Sequence, residues 1–315
     1  MFVLRMNSKR KKIQPLYIKQ QLCLMKKGVR HEEKNVLAGG LFILIFLIGL
    51  LVLLYPMFSN LWNEHRSAEL IADYREAVSQ VSQEDYSKWF EMADEYNETL
   101  EGKEVPDAFA FISKEEDEEY LSQLAFRDDG VMGYIEIPKI SVSLPIYHTT
   151  SEEVLQKGAG HLQGSALPVG GLGTHCVISA HRGLPSAAMF TDLDMLQEGD
   201  HFYIHVLGET LAYEVDQILV VNPDEVSALT PEKEGDYVTL LTCTPYGVNT
   251  QRLLVRGHRV EETEEEIPKV NTMQLIVNSF GWKGKLVASL VALAVAAAII
   301  AGMRKRAKRK KTKDL

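Results

Sequence analysis

Residues 239–246 read Thr-Leu-Leu-Thr-Cys-Thr-Pro-Tyr, an apolar run that carries Cys243 to its end and stops at Pro245. Proline cannot donate into a sheet ladder, so the run reads as a strand that finishes here. Tyr246-Gly-Val-Asn249 then supplies turn residues, and Arg252-Leu-Leu-Val-Arg256 reads as a returning strand. Antiparallel pairing would bring Cys243 and Arg252 together at one open end. Alternation puts Arg252, Leu254 and Arg256 on one face of the returning strand and Leu253 and Val255 on the other.

The same strand character extends upstream. Short apolar or alternating runs occupy 133–137, 142–147, 175–180, 202–207, 210–221, 237–242 and 252–260. Gly208-Glu209 fits a two-residue hairpin turn with glycine first. Many short strands, rarely interrupted by helix, predict a mainly β domain, a closed barrel or a sandwich. Ahead of them, Leu70, Ile71, Tyr74, Val78, Val81, Trp89, Phe90, Tyr96 and Leu100 recur at helical spacing, as one broken or two short amphipathic helices over 64–100. Residues 101–111 read as a loop. Ser113 before Lys-Glu-Glu116 is a capping-box pattern that opens a third short helix toward Phe126.

Two apolar runs flank this region. The first, 36–58, is uncharged and long enough to cross a bilayer; the second, 286–303, is alanine-rich and reaches that length if Trp282 sits at the interface. No small-x-small cleavage site follows the first run, which favours a retained helix over a signal peptide. Lys9-Arg-Lys-Lys12 and Lys26-Lys27 precede the first run, and Arg304-Lys-Arg306 and Lys308 to Lys311 follow the second. The positive-inside rule then keeps both termini in the cytosol and the middle outside. Between the tails lie 16 Lys and Arg against 40 Asp and Glu, a net charge near −24. Such an acidic exterior excludes nucleic-acid binding, and the basic tails read as topology anchors. Either Met1 or Met25 could be the start.

Cysteines are scarce. Cys23 lies before the first span, so only Cys176 and Cys243 face outward. They could form one disulfide, but a domain this large can hold on its core alone, which leaves a working thiol to consider. His181 ends the apolar run Cys176-Val-Ile-Ser-Ala-His181, so three strand ends could gather thiol, imidazole and guanidinium at one rim. A thiolate attacks acyl carbon, an imidazole moves the proton, and a guanidinium holds a carbonyl or its oxyanion. Acyl transfer through a thioester follows from such a set. Cys176 reads as a small core residue, His148 and His161 as structural histidines, and Arg256 as a weaker competitor for the guanidinium role. His258 lies on the returning strand facing the same way as Arg252.

The run Thr239-Leu-Leu-Thr-Cys-Thr-Pro, with Arg252 nine residues after the cysteine, resembles the sortase signature, and Ser179-Ala-His-Arg-Gly-Leu-Pro185 resembles that family's histidine motif. The blocks Gly133-Tyr-Ile-Glu-Ile-Pro-Lys-Ile140, Leu144-Pro-Ile-Tyr-His148 and Gly158-Ala-Gly-His-Leu162 resemble class C sortases, the pilin polymerases of Gram-positive bacteria. The likeness runs from about Tyr96 to Val260. It implies a closed eight-stranded sortase β-barrel and a cysteine transpeptidase that reads an LPXTG-like signal. By that resemblance Cys243 is the nucleophile, His181 the acid/base and Arg252 the carbonyl or oxyanion holder, with no cofactor and no metal. The enzyme would cut after the signal's threonine, hold a pilin as a thioester and pass it to a lysine amine of the next pilin. Its partners would be pilin subunits, other LPXTG-type surface proteins and the membrane.

Class C enzymes also carry a lid, usually Asp-Pro-aromatic; Pro106-Asp-Ala-Phe109 keeps the aspartate and the aromatic but has Ala108 where proline is usual. The resemblance implies that Asp107 pairs with Arg252 and Phe109 covers Cys243, in a lid loosened by the missing proline. The expected organisation is a basic cytosolic tail 1–35, a membrane helix 36–58, a helical region 59–128 with the lid at about 104–112, and a catalytic barrel 129–262; a linker 263–281, a second membrane helix 282–303 and a basic cytosolic tail 304–315 follow. Two alternatives stand beside pilus assembly: a sortase that anchors single proteins to the cell-wall peptide, and a non-catalytic membrane scaffold for surface proteins. A hydrolytic cysteine peptidase is a weaker variant of the first reading.

Overall fold

The computed structural model describes residues 44–100 and 117–262. Its chain divides into two units, Met1–Tyr55 and Pro56–Leu315. In the first, the described residues open helix α1 (Leu44–Ser79), and Leu44, Ile48, Leu51 and Val52 are exposed there. This is the one helix among the described residues long and apolar enough to cross a membrane. The expected second span and both basic tails lie outside the described residues, as do the lid residues Asp107 and Phe109.

In the second unit the remainder of α1 packs through Ile71, Tyr74 and Val78 against Val131, Tyr134 and Tyr147. The Tyr74 hydroxyl donates to the Met132 carbonyl at 3.1 Å and accepts the Leu207 amide at 2.9 Å. The expected helical break falls after Ser79, and α2 (Gln83–Thr99) restarts with Ser82 as its cap, its hydroxyl accepting from the Asp85 amide. α3 (Glu118–Ser122) is capped by Asp117, whose carboxylate accepts the Tyr120 amide at 3.2 Å. The expected cap, Ser113, lies outside the described residues.

Eight strands follow: β1 (Val131–Ile137), β2 (Val142–His148), β3 (Ala159–His161), β4 (Thr174–Ser179), β5 (His201–Val206), β6 (Glu209–Val221), β7 (Asp236–Thr244) and β8 (Gln251–Val260). They close into a barrel in the order β1-β2-β3-β4-β7-β8-β6-β5. β2 with β3 and β4 with β7 pair in parallel; the other pairs are antiparallel. Closure removes every sheet edge, which settles the choice between barrel and sandwich.

Two details differ from the sequence reading. β3 has only three residues, too short for alternation to show, and its pairs with β2 and β4 define it instead. The hairpin turn between β5 and β6 is Leu207-Gly208, one residue earlier than expected, because Val206 pairs with Glu209. Both turn residues take positive φ, 44° and 85°, the mirror-image turn that suits strand twist. Burial of Leu207 and its amide bond to Tyr74 hold a non-glycine residue in that conformation.

Side chains of β7 alternate between two apolar layers. Leu240, with Ile178, Leu253 and Val255, fills the barrel interior. Leu241 faces the other way, into a smaller cluster with Leu162, Val177, Leu229 and Leu254 on the barrel's outer face. Leu229 belongs to the β6–β7 connection, which covers that cluster. The continuous apolar run before Cys243 is thus a strand buried on both faces, and Cys243 shares the outer face with Leu241.

Candidate active site

Cys243 is the penultimate residue of β7 and pairs directly with Arg252, the second residue of β8. Arg252 Nη1 lies 3.6 Å from Cys243 Sγ and donates to the Gln251 carbonyl at 3.3 Å. The arginine is only 9% exposed, and the thiol is half-buried. A guanidinium held this way presents fixed positive charge at the thiol without a proton to lose.

His181 arrives from β4. That strand runs parallel to β7, with Ser179 paired to Leu241. Beyond the ladder the Ala180 amide donates to the Leu241 carbonyl at 3.2 Å, and the Thr242 hydroxyl donates to the Ala180 carbonyl at 2.7 Å. Continuing the register by two residues brings His181 level with Cys243. Its carbonyl is fixed by the Phe190 amide at 3.0 Å. The ring is 19% exposed, and its Nε2 lies 3.4 Å from Glu152 Oε2. The three residues singled out by chemistry in the sequence therefore meet at neighbouring strand ends on one rim.

Their surroundings include residues that sequence reasoning did not single out. Arg182 donates from Nη1 to the Thr244 hydroxyl at 3.2 Å and pairs with Asp194, joining the β4 exit to the residue after the thiol. Gly183 takes φ +80°, and a Cβ there would lie 3.1 Å from the Tyr246 ring, so glycine lets the β7–β8 loop close over the histidine loop. Glu152 sits in the first turn of the one-turn helix α4 (Glu152–Leu155).

The competing residues fall elsewhere. Arg256 pairs with Thr239 in the register, binds Asp216 at 2.8 Å and Glu232 at 3.2 Å, and lies over the Tyr237 ring. His258 lies near the far end of β8, paired with Tyr237 and Glu214. Cys176 is buried in the core, and burial pushes its thiol well up, away from thiolate chemistry. His161 donates from Nε2 to the Ala166 carbonyl at 2.8 Å, which leaves Nδ1 to accept the Tyr120 hydroxyl at 2.9 Å; burial lowers its pKa to about 4. His148 holds the Gln123 carbonyl at 2.7 Å and is also lowered by burial. Both are structural histidines.

A half-buried thiol beside a guanidinium, on a rim that also carries an imidazole, is equipped for nucleophilic attack on a peptide carbonyl. The Sortase domain family profile matches residues 135–260. Sortase C of Streptococcus pneumoniae has a solved structure that is 45% identical, covering 62% of this chain and 98% of that one with a TM-score of 0.59. Sortase C1 of Streptococcus agalactiae is 50% identical, covering 62% of this chain and 100% of that one with a TM-score of 0.58. The chain belongs to the sortase family, class C.

More distant relatives agree on the catalytic domain. This sortase is 31% identical to Sortase D of Bacillus subtilis over 131 residues, which is 41% of this chain. The matches span 63% of that relative's length and 60% of the length of Sortase A from Bacillus anthracis. The family is one of cysteine transpeptidases.

Proposed function

We propose that this sortase is a pilin-polymerising transpeptidase, with Cys243 as nucleophile, His181 as general acid/base and Arg252 as holder of the substrate carbonyl and its oxyanion. The Cys243–Arg252 cross-strand contact at 3.6 Å carries the reading, because it supplies charge stabilisation at the attacking atom. Class C structural neighbours support it, one of them described in terms of pilin substrate specificity.

The thiolate attacks the carbonyl of the threonine in an LPXTG-like signal. Negative charge moves to the carbonyl oxygen, where the guanidinium stabilises it. Collapse breaks the C–N bond, and the His181 imidazolium gives its proton to the departing amine. A lysine amine of the next pilin then attacks the thioester, His181 takes its proton, and the thiolate leaves. In the same reading a lid with Asp107 and Phe109 regulates entry. A second span at 282–303 completes a two-helix anchor, with both termini cytosolic and the barrel outside.

The test incubates the full chain in detergent micelles with a recombinant pilin that carries the signal, and follows products on a denaturing gel. A covalent ladder that disappears in Cys243→Ala supports pilin polymerisation. A pilin thioester that resolves only onto a cell-wall peptide amine would make this an anchoring sortase instead. A ladder equal to wild type from Cys243→Ala would overturn the reading.

A further inference from the structure

Helix α4 is a single turn, yet its start is firmly placed. Just upstream, Thr149 takes φ +66°, and its amide donates at 3.0 Å to the hydroxyl of Tyr120, which is wholly buried against His161. The Thr149 carbonyl lies so close to Gly160 that a Cβ there would stand 2.3 Å away. Ser151 caps the turn, and Leu155 is buried at its end. The backbone that carries Glu152 is therefore fixed against β3 and the core.

The Glu152 side chain is held as well. Gln156, one turn on, donates from Nε2 to Oε1 at 2.5 Å, while Oε2 lies 3.4 Å from His181 Nε2. The other acid of this turn, Glu153, pairs with Lys157 at 3.6 Å. Two adjacent carboxylates thus have different partners, and only Glu152 turns to the rim.

We propose that Glu152 is a positioning residue for His181. Its carboxylate stands 3.4 Å from Nε2, an ion-pair separation, and restricts how the ring turns on the rim it shares with Cys243. Glu152 acts through His181, so the inference rests on the acid/base reading given above. An acid in the first turn of any helix also complements the helix dipole. That ordinary role would change folding but not the reactivity of a thiol on another strand. Glu152 is 68% exposed, so solvent screens the attraction and limits the effect to a few-fold change.

The test uses the full chain in detergent micelles with Glu152→Gln, which keeps the shape and removes the charge, and with the charge-keeping Glu152→Asp. Each is made in the wild-type and in the His181→Ala background. The readouts are the rate of Cys243 alkylation by iodoacetamide, resolved by mass spectrometry from Cys23 and Cys176, and kcat and KM for thioester formation. Glu152→Gln is expected to slow alkylation and lower kcat by about two- to fivefold with KM unchanged, and Glu152→Asp to recover part of the loss. In the His181→Ala background Glu152→Gln should change nothing further. Wild-type alkylation in Glu152→Gln, or an equal loss when His181 is absent, would overturn the inference while leaving the acid/base reading intact. Wild-type alkylation and turnover in His181→Ala alone would overturn both.

Discussion

Arg252 and Arg256 lie four residues apart on β8, with the same chemistry and different company. Arg252 reaches Cys243 and a backbone carbonyl, whereas Arg256 is held by Asp216 and Glu232 and lies 4.2 Å above the Tyr237 ring. Arg252→Lys keeps the charge and loses the planar fork, so kcat is expected to fall by about tenfold or more. Arg256→Ala should leave kcat within roughly twofold and lower Tm by a few degrees, since its ion pairs and ring contact are structural. Steady-state assays and thermal melts of both variants check the division. The pairing of Cys243 with Arg252 was legible in the sequence because only a proline-ended turn separates them. His181 was legible as chemistry, but its partner lies across the parallel β4–β7 contact, which leaves no local trace. Ser151-Glu152-Glu153 looks like any helix start, so tertiary packing alone reveals which acid faces the imidazole.

At the scale of elements, helix α1 is fastened to the barrel by polar groups that periodicity cannot show. Tyr74 was visible as an apolar position, but its hydroxyl bridges the Met132 carbonyl on β1 and the Leu207 amide in the β5–β6 turn. Nearby, Arg75 donates to the Tyr134 hydroxyl at 2.8 Å and pairs with Glu136 at 3.2 Å. Tyr74→Phe strips a buried amide of its acceptor and should cost about 1–3 kcal/mol, several degrees in Tm, with little change in packing. A melt indistinguishable from wild type would show that water replaces the hydroxyl. The same bond explains the one-residue error in the hairpin. Glycine marks a turn, but the register was decided by where Leu207 could bury its side chain and satisfy its amide.

Over the described residues, three buried histidines tie stability to pH, His148 among them. His161 and His175 are both lowered to about 4 by burial, and each is satisfied as a neutral ring. His175 donates from Nδ1 to the Thr230 carbonyl and accepts the Thr239 hydroxyl at Nε2. Unfolding returns all three rings to about 6.5, so the unfolded state binds more protons below that pH. Stability should therefore hold above about pH 6.5 and fall as pH drops toward 4. His175→Gln should flatten that fall; Tm profiles from pH 4 to 8 of wild type and variant provide the check. The residues left barrel and sandwich both open because closure depends on β1 meeting β5 and on the parallel contact of β4 with β7, pairs of segments far apart in the chain. Parallel neighbours require long crossovers, so such contacts form late in folding. Synthesis runs from the imidazole toward the thiol and the guanidinium, which lie in the last two strands. A nascent chain that stops short of β8 lacks both the seam and the arginine, and the proposed chemistry waits for the final strand.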